Sequence, residues 1–184
     1  MPDSGSSKKI IPRSKLRATV SRLKAKRKKV VFTNGCFDLI QVHHVRCLQE
    51  ARSHGDVLIV AINTDASVRK IKGPSRPIVP QGDRAEMLAA LECVDYVTFF
   101  SEETPHRILR EVLPDVLAKG GDYRDDEIVG KEIVEGNGGK VVRLRKWPQR
   151  STTKLIERIL RENNRGHSAL LSRARREPTA DERR

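Results

Sequence analysis

Val57-Leu58-Ile59-Val60-Ala61-Ile62 is an unbroken apolar run, closed on one side by Gly55-Asp56 and on the other by Asn63-Thr64-Asp65. It falls far short of the roughly 20 apolar residues that a membrane helix needs, and it lacks the polar alternation of a half-wet strand. A strand of this kind must be covered on both faces, which is the condition met in a parallel sheet flanked by helices. Val30-Val31-Phe32 is a second apolar run, ended by Asn34-Gly35, and Val42, Val45 and Leu48 come after it at helical spacing. Tyr96–Phe100, Val116–Ala118 and Val141–Leu144 read as three more strands. Helical segments fall at Asp83–Cys93, after Thr104-Pro105, at Ile128–Glu135, and from Ser151-Thr152-Thr153 through about Leu160. Strand and helix alternate with no hairpin signal, so the expected fold is α/β: a Rossmann-like, doubly wound, parallel five-stranded sheet in a single domain. The polar stretch from Asn63 to Pro77 reads as an ordered loop.

A chain of 184 residues suits one core. Residues 1–28 read as a basic, partly disordered extension in which Leu16, Val20 and Leu23 mark a short helix. Residues 29–162 form the expected folded domain, and 163–184 a flexible basic tail.

The formal net charge of +13 calls for an anionic partner without naming it. Much of the excess sits at the ends, from Lys8 to Lys29 and from Arg165 to Arg184. With 4% aromatic residues and no nucleic-acid motif, nucleic acid is not the expected ligand. Cys36, Cys47 and Cys93 show no C-x-x-C spacing, so neither a zinc site nor a disulfide framework is suggested. No secretory signal or membrane helix is legible, and the expected location is the cytoplasm.

Four polar clusters fall at strand ends: Thr33 to Asp38, Asn63 to Asp65 with Lys72, Lys119 to Asp122, and Arg150 to Thr153. In a parallel doubly wound sheet, such ends converge on one crevice. Asn34-Gly35 would let the backbone approach a ligand closely, and the next helix offers free N–H groups and the positive end of its dipole. Ser151-Thr152-Thr153 offers a second helix start with hydroxyl donors, and Lys72 a cation. A phosphate-rich ligand suits such a crevice, although each cluster taken singly is also an ordinary turn or cap.

Taken together, the order and spacing of Thr33-Asn34-Gly35-Cys36-Phe37-Asp38, Gly55-Asp56, Asn63-Thr64-Asp65, Lys72-Gly73-Pro74-Ser75-Arg76-Pro77, Lys119-Gly120-Gly121-Asp122-Tyr123 and Arg150-Ser151-Thr152-Thr153 are specific. From Val31 to Ile159 the chain resembles the heptose 1-phosphate adenylyltransferases, within the cytidylyltransferase-like nucleotidyltransferases that carry an H-x-G-H signature. The resemblance implies that ATP, with Mg2+, and a sugar 1-phosphate combine to give an ADP-sugar and pyrophosphate in ADP-heptose biosynthesis. D-glycero-D-manno-heptose 1-phosphate is the implied sugar. It further implies catalytic roles for His44, Lys72 and Gln41, and nucleotide contacts from Thr33, Asn34, Gly35, Cys36, Phe37, Arg84, Lys119, Gly120, Asp122, Ser151, Thr152 and Thr153. Asp38 and Asp65 are the implied sugar-phosphate contacts, and no protein metal-ligand set is expected. A homodimer and a separate sugar kinase complete the implied partners, and none is a membrane.

The signature itself departs from the family: Gln41-Val42-His43-His44 stands where H-x-G-H is expected, so only His44 matches. A neutral amide donates more weakly than an imidazolium, and loss of one transition-state donor costs on the order of 2 to 4 kcal/mol. His43 reads as a surface histidine, with the alternative that it turns toward the phosphates. Three readings stay open at this level: an active adenylyltransferase, a weakly active or inactive nucleotide-binding homologue, and a cytidylyltransferase acting on a polyol phosphate.

Overall fold

The structure is a computed structural model that describes residues 7–121, 128–147 and 152–174, with side chains through 163. Five strands, β1 (Val30–Gly35), β2 (Val57–Asn63), β3 (Tyr96–Phe100), β4 (Val116–Lys119) and β5 (Lys140–Arg143), form one sheet in the order β3-β2-β1-β4-β5. Every neighbouring pair is parallel. The helices are α1 (Arg13–Ala25), α2 (Val42–Ser53), α3 (Asp65–Lys72), α4 (Gln81–Ala89), α5 (His106–Val112), α6 (Lys131–Gly136) and α7 (Thr152–Ala174).

The apolar run of β2 is buried along its whole length and feeds two cores with a period of two. Val57, Ile59 and Ala61 join Leu16 and Val20 of α1, Ile108 and Leu109 of α5 and Val134 of α6 on one face. Leu58, Val60 and Ile62 join Leu48 and Ala51 of α2 and Ala85 and Leu88 of α4 on the other. The helix after β1 therefore covers one face, and the helix after β4 covers the opposite face. Since β1 and β4 are neighbours, their loops diverge and leave a crevice at their carboxyl ends, where open α/β sheets place ligands.

Three segments differ from the sequence reading. The stretch assigned to a basic extension holds α1, whose Leu16 is wholly buried and whose Arg13 guanidinium binds Glu102 and Glu111. Ile11 N–H donates to Val97 O at 2.9 Å, so this segment also adds to the sheet edge beside β3. The domain thus begins before residue 29; a cation-rich sequence around two apolar knobs hid its packing. The Asn63–Pro77 stretch contains α3, started by the Thr64 hydroxyl accepting from Ser67 N–H and held by buried Val68. With one buried apolar side chain, the helix gave little period to read. Finally, α7 runs to Ala174 through residues read as a tail. Residues 149–184 form a compact unit apart from the unit of residues 1–148, and within it Ile159 and Leu160 are exposed.

Candidate active site

β1 ends in Asn34-Gly35, and the chain then reverses through Cys36–Ile40 before α2 begins. Phe37 and Leu39 both lie in the left-handed region, with φ of 49° and 55°. For non-glycine residues this is uncommon and costs of order 1 kcal/mol each, so surrounding contacts must fix it. Asp38, between them, supplies those contacts. Its carboxylate accepts from Arg76 Nε at 2.6 Å and from the N–H groups of Ile78 and Val79 at 2.9 Å each. Burial alone would raise the Asp38 pKa, but the two backbone N–H groups and the Arg76 guanidinium outweigh it and hold the carboxyl below its ordinary value. Asp38, an implied sugar-phosphate contact, clamps the 76–79 segment over the β1 loop.

Arg84 gathers a second set of loop contacts. Its side chain is wholly buried, and its guanidinium donates to Val79 O, Cys36 O, Asn63 O and Asp65 Oδ1. A guanidinium has five N–H donors, so four are engaged with protein acceptors drawn from three loops. This implied nucleotide contact ties the ends of β1 and β2 to the start of α4. Asp65, the other implied substrate carboxylate, is paired to it at 2.6 Å. Asn63 completes this floor, donating to Ser67 Oγ at 2.9 Å. Neither Asn63 nor Arg76 was given a role from sequence, although a buried Asn closing an apolar strand is a readable signal that its amide has a fixed task.

Two lysines, Lys119 and Lys72, lie near the β1 loop. Lys119 ends β4, is nearly buried, and donates to Asn34 Oδ1 across the β1–β4 boundary at 2.6 Å. Burial lowers its pKa from 10.5 to about 8, because few neighbours replace the water lost by the ammonium. Lys72 closes α3, is exposed, and acts together with Arg84 and Arg76 to offset the rise that burial gives the Cys36 thiol. These cations therefore gather around the β1 loop. Thr33 lies buried in β1 below it, and Gly120 comes directly after Lys119.

At the mouth of α2, Gln41 is the N-cap and its backbone N–H donates to His44 Nδ1 at 3.0 Å. An Nδ1 that accepts leaves the imidazole proton on Nε2, so His44 presents an N–H donor. Burial first, and His43 second, lower the His44 pKa to about 4, keeping the ring neutral. His43, expected at the surface, stacks on His44 with ring centroids 3.9 Å apart, and Phe37 flanks His44 at 5.8 Å. Gln41 Nε2 is buried without a hydrogen-bond partner. Such a donor is costly until an acceptor arrives.

Among the described residues, no group of three or more His, Cys, Asp or Glu could hold a metal ion. Asp122 and Ser151 lie outside the described residues; Thr152 and Thr153 open α7.

Gly121, next to Gly120, packs against the segment that leaves β5. A Cβ there would lie 2.8 Å from Lys146 N and closer still to Leu144 O, both backbone atoms that cannot swing away. Gly121→Ala is expected to cost about 2 kcal/mol or more, read from urea unfolding as a lower midpoint at unchanged slope. An unchanged midpoint would show that the β4 and β5 loops can separate freely.

An open parallel α/β sheet with polar loops gathered at the carboxyl ends of β1, β2 and β4 defines a Rossmann-like fold that takes ligands at that edge. The family model described as Cytidylyltransferase-like matches residues 32–158, and the chain belongs to that family. It is 53% identical over 138 residues to "Bifunctional protein HldE" of Geobacter metallireducens, covering 75% of this chain and 28% of that protein. It is 49% identical over 158 residues to the protein of the same name in Syntrophotalea carbinolica, covering 86% of this chain and 32% of that protein. The chain thus spans about a third of the length of these relatives. Among solved structures, the lipopolysaccharide core biosynthesis protein of Thermoplasma volcanium matches with a TM-score of 0.57 and 28% identity, covering 65% of this chain and 98% of that one. Among the described residues no helix is long and apolar enough to cross a membrane.

Proposed function

We propose that this chain is a nucleotidyltransferase that joins ATP to a sugar 1-phosphate, D-glycero-D-manno-heptose 1-phosphate being the favoured substrate, with release of pyrophosphate. The observation that carries this reading is the His44 ring, fixed by Gln41 N–H as an Nε2–H donor at the start of α2, the helix that follows β1. Kinship to proteins named for HldE and to a lipopolysaccharide core biosynthesis protein supports a surface-sugar substrate.

In this reading a phosphate oxygen of the sugar 1-phosphate attacks the α-phosphorus of ATP. The bond from that phosphorus to the bridging oxygen breaks, and its electron pair leaves with pyrophosphate. No covalent enzyme intermediate forms. The chain's work is to hold two anions in line and to meet charge as it develops. The free N–H groups at the start of α2 and His44 Nε2–H bind phosphate oxygens, Lys72 neutralises the transferring group, and Lys119 anchors the nucleotide phosphates. Asp38 and Arg84 act indirectly by holding the loops. A divalent metal bound to the ATP phosphates supplies further charge neutralisation when present.

Pyrophosphate release from ATP, Mg2+ and candidate sugar 1-phosphates, compared with a Lys72→Ala control, tests the reading. Release confined to the wild type, and greater with ATP than CTP, is expected; no release above the control sinks it. The paired change Gln41→His with His43→Gly is expected to raise turnover about tenfold or more, since it adds an imidazole donor and removes the ring stacked on His44. A fall in turnover would mean that Gln41 and His43 are an adapted pair.

A further inference from the structure

At the opposite pole from the crevice, the turn from α1 into β1 and the turn from α6 into β5 enclose a groove of about 580 Å³. Lys24, Arg27, Lys28, Lys29 and Lys140 line it, with Gly138 and a single acid, Asp115. The floor is rigid. Asp115 N–H donates to Val30 O and Lys140 N–H to Asp115 O, both at 3.0 Å, so the entrances of β1, β4 and β5 are stitched together beneath the cations.

The anions within reach are already engaged. Asp115 Oδ2 accepts from Val30 N–H at 2.7 Å, and nearby Asp56 Oδ2 accepts from Lys29 N–H at 2.8 Å. Lys24 caps α5 by donating to Leu113 O, an ordinary structural task for a lysine at a helix end. Arg27, Lys28, Lys29 and Lys140 have no side-chain partner among the described residues. Four such cations face one groove whose lining holds a single carboxylate, that of Asp115, so the groove keeps a net positive charge. No aromatic ring lines the groove, so charge and not base stacking would be read there.

We propose that this groove is a second anion site, separate from the crevice, that takes a compact oligophosphate. An open groove lined by cations from two turns meets a short chain of phosphates along its whole length, whereas a duplex backbone would run beyond them. The class is the phosphate chain itself, whether free as inorganic tripolyphosphate or as the triphosphate of a nucleotide. ATP therefore has two places to bind, one at each pole of the sheet.

Calorimetric titration of the whole chain with tripolyphosphate and, separately, with ATP at physiological ionic strength tests this. Wild-type protein is expected to show two sites for each ligand. Arg27→Gln with Lys28→Gln and Lys140→Gln is expected to abolish the second site, or weaken it about tenfold or more, while leaving pyrophosphate release unchanged. Lys119→Met should affect only the other site. Loss of like-charge repulsion should leave the triple variant's melting temperature equal or higher, which separates lost binding from lost folding. One site in the wild type, unchanged stoichiometry in the triple variant, or a short DNA duplex that displaces tripolyphosphate from the groove at lower concentration would each overturn the proposal.

Discussion

Arg84→Met should cost about 3 to 5 kcal/mol of folding stability, because it strands a partly buried carboxylate and three carbonyl oxygens at once. The acceptors are Asp65 Oδ1 and the oxygens of Val79, Cys36 and Asn63, which belong to three separate loops. No water can replace the guanidinium without opening the core, since Arg84 has no exposed surface. Arg84→Lys should recover little, since one ammonium cannot span four acceptors fixed in a fork. Urea unfolding gives the stability, and nucleotide binding at a temperature where the variant stays folded gives the consequence for the crevice. A stable Arg84→Lys protein with turnover lowered about a hundredfold would return Arg84 to direct contact with phosphate.

The second large effect is expected at Lys119, and it should fall on turnover while sparing stability. Lys119→Met removes one of the positive charges meeting the nucleotide, a loss of about a hundredfold to a thousandfold in kcat. The same change removes an ammonium that burial has weakened, so the melting temperature at neutral pH should stay equal or rise. Proton linkage sets the sign. With the folded pKa near 8 and the ordinary value at 10.5, the unfolded chain holds more protons between those limits, so wild-type stability rises with pH across that window. Lys119→Met should flatten that rise. A bound phosphate works in the opposite direction, raising the lysine's pKa, so nucleotide affinity should fall as pH climbs through about 8 and binding above it should take up a proton. Calorimetry in two buffers of different ionisation enthalpy measures that uptake. Equal heats after correction would mean that Lys119 does not meet the phosphates.

The architecture was legible because the apolar runs of β1 and β2 carry their own instructions. A continuous buried strand bounded by turn residues permits few folds, and the helical spacing of Val42, Val45 and Leu48 places a helix directly after β1. Lys119 was legible too, as a cation at the end of a short apolar strand. The protein contacts of Asp38, Asp65 and Arg84 were not. A charged residue beside a phosphate-binding loop can face the ligand or face another protein group, and local sequence is the same in both cases. The choice depends on contacts such as Arg76 with Asp38, between segments far apart in the chain. The His44 tautomer was hidden for a related reason, since it rests on one hydrogen bond from Gln41. α1 was legible as a short helix from the spacing of Leu16, Val20 and Leu23, but its place in the core was not, because so few apolar residues among cations do not show what they pack against.

The strand order has a consequence for how the domain comes into being. β1 first meets β2, which comes soon after it in sequence, but its other neighbour is β4, beginning at Val116. During synthesis the β1–β2–β3 half can collapse while one edge of β1 still lacks its partner. That open edge is an aggregation hazard, and closing it requires a contact of long sequence separation, which slows folding. The step that covers the edge also delivers Lys119 to Asn34. Protection from misassembly and acquisition of the buried cation are thus one kinetic event, and nascent chains stalled before β4 should be both sticky and unable to hold a nucleotide.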